Sequence, residues 1–259
     1  MDAGSATQDG PLAQTQAEAE RVTAAARERG TTAALMGGVA IFLRCPSASR
    51  PPLQREYKDI DLVTSRSMVQ KLSQLLEELG HAPDKRFNAI HGGQRLFFWD
   101  ERNGRQLDVF VDRFEMCHKV DLRSRLALDP TAPTIPLADL LLTKMQVVEM
   151  NLKDMQDIAA LLQDCPLTDN EEGINLHYIT KLTGNDWGLQ HTLEKTIDKL
   201  REDENLSRLA AENPRYALAD QLDALAEAMR DAPKSTGWKL RSKIGEHKRW
   251  YELPEEARA

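Results

Sequence analysis

Between residues 33 and 112 the apolar positions come in short runs or alternate with polar ones, whereas beyond residue 137 they recur every three or four residues. Alternation is the mark of a half-buried strand, and the longer spacing is the mark of an amphipathic helix. Ala33-Ala34-Leu35-Met36 is a short apolar run that stops at Gly37-Gly38. Val39 to Arg44 then reads as one or two helical turns before Pro46, giving the order strand, double glycine, helix. Ser47 to Glu56, with Pro51-Pro52, reads as a loop. Asp59 to Val63 alternates acidic and apolar residues and reads as a strand. From about Ser67, Met68, Leu72, Leu75, Leu76 and Leu79 repeat at helical spacing, and Gly80 ends the helix. From Arg86 to Asp112 the pattern is strand-like: Phe87-Asn88-Ala89-Ile90, then Arg95 to Trp99, a hairpin turn at Asn103-Gly104, and Gln106 to Val111.

On either side of this region the signals are helical. Pro11 to Arg29 is rich in Ala, Glu, Gln and Arg, and Gly30 is a natural C-cap; the small polar residues before it read as a disordered tail. Pro130, Pro133 and Pro136 punctuate a loop before a helix from Leu137 to Met150, and a second helix runs from Lys153 to Leu162. After Cys165-Pro166 the strand signal disappears. Leu189, Leu193, Ile197 and Leu200 mark one amphipathic helix, and Leu218, Leu222, Leu225 and Met229 mark another. The expected division is a tail and helix at 1–30, an α+β domain at 31–165 and an all-helical domain at 166–259.

Composition narrows the class without naming a function. A chain of 259 residues, 41% hydrophobic and 29% charged, has the balance of an ordinary globular protein. A net charge of -7 argues against broad coating of nucleic acid. Cys45, Cys117 and Cys165 stand far apart with no CxxC pair, which speaks against a disulfide framework and a cysteine zinc site. With no long apolar run and no basic-then-apolar leader, no membrane association is expected and the location reads as cytoplasmic.

The candidate chemistry lies in the strands. In a strand at Asp59 to Val63, Asp59 and Asp61 share a face while Ile60 and Leu62 turn to a core. Two like charges side by side repel unless a cation bridges them, and hard carboxylate oxygens suit Mg²⁺ or Mn²⁺. The spacing alone is weak, because a chain with 41 acidic residues yields such pairs by chance. Asp108 lies in the apolar run Leu107 to Val111, where a carboxylate is costly unless paired or metal-bound; the alternative is an edge strand on which Asp108 faces solvent and Asp112 could share its face. Gly37-Gly38, at a strand-to-helix turn, offers backbone N–H groups that can cradle phosphate. Lys144 falls at the spacing of Leu137, Leu140, Leu141 and Val148, so it either snorkels to solvent or points toward an anion. Lys153 and Asp157, four apart, suit a surface ion pair. Lys234 to Arg249 holds six Lys or Arg against Glu246 alone, with Trp238 and Trp250 interleaved. That pattern suits either single-stranded nucleic acid or a terminal helix docked by its tryptophans.

The order Gly37-Gly38, Asp59-Ile60-Asp61, then Asp108 in an apolar strand resembles the nucleotidyltransferase superfamily of DNA polymerase β type. The segment from Leu142-Thr-Lys-Met-Gln to Asn151-Leu-Lys-Asp-Met-Gln-Asp-Ile-Ala-Ala-Leu-Leu is similar to the helical motif of minimal nucleotidyltransferases and of abortive-infection toxins. Arg55, four residues before Asp59, matches the Arg of their Arg-x-Ser/Thr-x-Asp-x-Asp pattern. Tyr57 stands where that pattern has Ser or Thr, and Gly38 where Ser is frequent. The resemblance covers about residues 33 to 163. It implies a nucleotidyltransferase-like mixed sheet flanked by helices. It also implies Mg²⁺ (or Mn²⁺) held by Asp59, Asp61 and Asp108, and a nucleoside triphosphate bound by Gly37, Gly38, Arg55 and Lys144. The reaction implied is transfer of an NMP to a hydroxyl of a small molecule, an RNA end or a protein, with release of pyrophosphate. The alternatives are a catalytically silent scaffold of the same fold, antitoxin-like or self-associating, and an RNA-binding module using the basic C-terminal segment.

Overall fold

The computed structural model describes residues 10–252, so most of the expected N-terminal tail lies outside the described residues. The described chain forms two compact units, each assembled from three separate stretches. The first takes residues 10–39, 57–113 and 121–135, and the second takes 40–56, 114–120 and 136–252.

The first unit contains α1 (Thr15–Glu28), β1 (Ala34–Met36), the start of α2 (Gly37–Arg44), β2 (Ile60–Thr64), α3 (Val69–Glu78), β3 (Ala82–Pro83), α4 (Lys85–His91), β4 (Arg95–Asp100), β5 (Arg105–Val111) and α5 (Arg123–Leu126). Its sheet has the order β1-β2-β5-β4-β3, with β2 and β5 parallel and the other pairs antiparallel. Strand alternation sends Ile60, Leu62, Leu107, Val109 and Phe98 to one face, where all are buried. Helix α1 packs on α3 and β1, and α3 on β3, which brings Ala19, Val22, Ala26, Leu72, Leu75 and Leu76 into the core. Each such aliphatic side chain larger than Ala contributes about 1.5–3 kcal/mol by leaving water. One carboxylate is buried with them. Glu18 accepts hydrogen bonds from Arg21, from His81 at 2.8 Å and from the Leu12 N–H at 2.8 Å. Burial pushes its pKa up, but the bonds from His81, Arg21 and Leu12 more than reverse this and hold it at about 2.

Phe87 to Ile90, expected as a strand, is helical and lies in α4. Asp84 caps that helix by accepting the Phe87 N–H at 2.9 Å, and the Asn88 side chain exchanges two hydrogen bonds with the Phe97 backbone, at 2.7 and 3.0 Å. An amide side chain thus satisfies the edge of β4 just beyond the short β3.

The second unit holds most of the hairpin of β6 (Arg113–Glu115) and β7 (Lys119–Asp121), then α6 (Leu137–Met145), α7 (Leu152–Asp164), α8 (Leu176–Asn185), α9 (Trp187–Leu200), α10 (Asp203–Leu209), α11 (Leu218–Asp231) and α12 (Thr236–Ile244). Among the described residues the strands after 165 are the two-residue pair β8 (Leu167–Thr168) and β9 (Ile174–Asn175). The spacings in α9 and α11 do mark buried stripes: Leu189, Leu193, Ile197 and Leu200, and Leu218, Leu222, Leu225 and Met229. Helix α6 stops at Met145, five residues short of the expected Met150. Its C-cap residue Gln146 turns its side-chain carbonyl to the His118 N–H at 2.7 Å, and Asn151 opens α7 in a capping box with Asp154. Cys45 and Cys165, 120 positions apart, place their buried sulfurs 4.0 Å from each other as free thiols.

Candidate active site

Strand β5 is the middle strand of the five, and the parallel register with β2 sets Asp108 directly beside Asp61. Their strand neighbours Ile60, Leu62, Leu107 and Val109 face the core, so both carboxylates project from the opposite face. Asp108 is only 5% exposed and Asp61 is half-buried. The edge-strand position that would have let Asp108 face solvent is therefore not the one it occupies. Asp59 lies one residue before β2 and is exposed. Asp112 does not continue the row: it follows β5 in a left-handed conformation (φ 65°) and accepts the Arg66 N–H at 2.9 Å.

Two residues that sequence reasoning missed hold Asp108. The Arg95 guanidinium donates to both carboxylate oxygens, at 2.6 and 2.8 Å, and the Gln106 amide donates to one at 3.2 Å. The register explains the meeting: Phe97 pairs with Asp108 and Arg95 with Phe110, so Arg95 is the diagonal neighbour of Asp108 on the same face. Arg95 also lies over the rings of Phe97 and Phe110, at 5.4 and 5.1 Å. Burial lowers its pKa, but the hydrogen bonds and charge of Asp108, together with the charge of Asp61, raise it above the ordinary arginine value. A single basic residue in a strand gives no sequence signal. Its offset from Asp108 becomes meaningful only when the hairpin register is known.

Gly37 completes the site from β1. It has φ +67°, and a Cβ built there would stand 2.2 Å from Asp61 Oδ2 and 3.1 Å from its Cγ. Only glycine allows the Asp61 carboxylate to lie so close against this turn. Helix α2 begins at Gly37, and the first N–H groups of a helix lack intrahelical acceptors.

Arg55 and Lys144 lie in the second unit, on Asp157. Arg55 grips that carboxylate with Nε and Nη2 at 3.0 and 2.7 Å; Lys144 Nζ is 2.9 Å from Asp157 and 3.4 Å from Asp154. Asp157 is 1% exposed, so it is no surface partner for Lys153. It is a buried anion shared by two cations. The signal that could have found it is its helical phase, since Ile158, Leu161 and Leu162 of α7 are buried beside it.

Trp250 of the basic C-terminal segment is used internally. Its Nε1 donates to Thr192 Oγ1 at 3.0 Å and its ring packs on His191 and Trp187, while Arg241 lies 4.6 Å over the Trp187 ring. Trp250 is thus docked on α9, although it lies beyond α12.

Among the described residues no group of three or more His, Cys, Asp or Glu is placed to hold a metal ion. Two carboxylates in register nevertheless form a site that suits a cation, and the Arg95 guanidinium, bonded to Asp108 and within the field of Asp61, stands in for one. No described helix is long and apolar enough to cross a membrane.

No family model matches the sequence, and no curated protein matches it. Among solved structures, the chain is similar to the antibiotic-resistance factor ANT(2'')-Ia, with 13% identity over 92% of this chain and 100% of that one at a TM-score of 0.40. It is also similar to JHP933 from Helicobacter pylori, with 13% identity over 90% and 96% of the chains at a TM-score of 0.34. The third is the STING-associated CdnE c-di-GMP synthase from Capnocytophaga granulosa, with 14% identity over 88% and 81% at a TM-score of 0.28. At these scores neither a fold nor a residue role is carried across to this chain.

Proposed function

We propose that the chain is a nucleotidyltransferase that moves an NMP from a nucleoside triphosphate to a hydroxyl acceptor with release of pyrophosphate. The observation that carries this reading is the alignment of Asp61 with Asp108 across parallel strands, against a turn that only Gly37 permits. Asp61 and Asp108, joined by Asp59 from the end of the same strand, would hold Mg²⁺ or Mn²⁺, which supplies Lewis-acid stabilisation of the transferred phosphoryl group. Gly37 and Gly38 would bind phosphate through the N–H groups at the start of α2, which have no acceptor within the helix, helped by the helix dipole. Arg55 and Lys144, which hold Asp157 in the second unit, enter as candidates for phosphate charge.

A screen with the four labelled nucleoside triphosphates tests the reading through transfer and pyrophosphate release. Asp61→Asn and Asp108→Asn should each abolish transfer while the circular dichroism spectrum stays unchanged. Transfer that survives both changes sinks the proposal. A second reading, a protein of the same fold that only binds, is favoured by the Arg95 fork, which engages both oxygens of Asp108. Calorimetry separates the two, because a pure scaffold shows no Mg²⁺-dependent binding of any of the four triphosphates.

A further inference from the structure

We propose that Arg95 is the built-in counter-cation of the Asp61–Asp108 face, and that a divalent ion reaches Asp108 only by displacing its guanidinium. The inference rests on the nucleotidyltransferase reading for the presence of the ion, and on the geometry of Arg95 for everything else. Both oxygens of Asp108 are engaged in one planar fork, so a second cation on the same oxygens would meet the guanidinium at close range and like charges would repel. The two occupants exclude each other. Exchange is open to Arg95 because its side chain is 30% exposed, against 6% for Asp108. Its main chain is fixed by pairing with Phe110 in β4–β5, so the side chain can swing out without breaking a ladder bond. The stacking on Phe97 and Phe110 then sets how readily it leaves.

Once released, the guanidinium keeps its fork of donors beside the bound ion. A phosphate oxygen pair matches that fork as well as a carboxylate does. Arg95 is thus a positioning residue with two partners in turn: Asp108 in the resting site, and the phosphate chain of the nucleotide when the ion is in place. The arrangement couples ion entry to anion binding, and coupling of this kind is reciprocal.

The test is Mn²⁺ binding, read from the loss of the free-ion paramagnetic resonance signal, with no nucleotide and no turnover. Arg95→Gln should bind Mn²⁺ about tenfold more tightly than the unmodified chain, which reflects the loss of a charge-assisted bond that the ion otherwise has to break. Arg95→Lys, which keeps a charge but loses the fork, should show a smaller gain in the same direction and serves if Arg95→Gln folds poorly. Adding Asp108→Asn to either variant should erase the gain. A purely structural Arg95 would leave the affinity unchanged or weakened, and that result overturns the exchange while leaving the metal site standing if Asp108→Asn still weakens binding. Absence of Mn²⁺ binding in every variant, the unmodified chain included, overturns the metal reading and the exchange with it.

Discussion

Asp108 and Asp157 are both buried carboxylates gripped by an arginine fork, one in each unit, and they differ in what surrounds the grip. Asp108 projects from a sheet face and is held by a guanidinium that is 30% exposed. Asp157 sits on a helix at 1% exposure between Arg55 and Lys144, whose side chains are 13% and 17% exposed. A buried charge with two partners and no solvent is a fixture, since removing one member strands the others away from water. A buried charge whose one cationic partner is partly exposed can change partners. Similar hydrogen-bond geometry therefore supports a brace in the second unit and a replaceable occupant in the first.

The sharpest way to break this contrast is to remove the brace. Asp157→Asn removes the buried carboxylate that Arg55 and Lys144 share, and it should cost about 3–5 kcal/mol in urea unfolding. A loss below 1 kcal/mol would make Asp157 no more structural than an exposed pair. Glu18 extends the comparison to a third buried carboxylate, which sits in the same unit as Asp108 but is partnered inside the core. Its folded pKa of about 2 lies below the ordinary 4.5, so its contribution is fully present above pH 4.5 and is lost as the pH falls toward 2. Stability should fall across that window in acid titrations followed by fluorescence, and Glu18→Gln should flatten the slope. An unchanged slope would show that burial of the partner does not separate fixtures from exchangeable groups. The smallest effect concerns the open face itself. Gly37→Ala should cost about 1–3 kcal/mol through its left-handed backbone and its collision with Asp61. Combining it with Asp61→Ala should recover the part due to collision, as a double-mutant cycle reads directly.

The parts of this site that were legible in the sequence are those that repeat with a local period. Leu107, Val109 and Val111 flanking Asp108, Ile60 and Leu62 flanking Asp61, and the double glycine after Leu35-Met36 are all read from nearest neighbours. Their strands lie where alternation puts them. Arg95 acts across a hairpin register and Asp157 through a distant loop and another helix, and a linear pattern does not carry that information; Gln106, two residues from Asp108 on the same strand, lay within local reach. Phe87 to Ile90 failed for a different reason. Four residues are too few to show a period, and the decisive signal was the cap at Asp84, three residues before Phe87. The early stop of α6 leaves no mark in the local pattern, since Val148 continues the apolar spacing of Leu137, Leu140 and Leu141.

The alternation of the chain between its two units, with changes after residues 39, 56, 113, 120 and 135, bears on portability. No single cut releases either unit whole. Ending the chain at residue 165, where the strand signal stops, would remove the partners of residues that remain. Gln163 would lose its bonds to Leu209, Ala211 and Tyr216, His118 would lose Thr192, and Cys117 would lose the Glu252 N–H. Grafting the first unit into another protein would need three segments rejoined by new linkers. The site is written in the order of the whole chain, and it travels only with it.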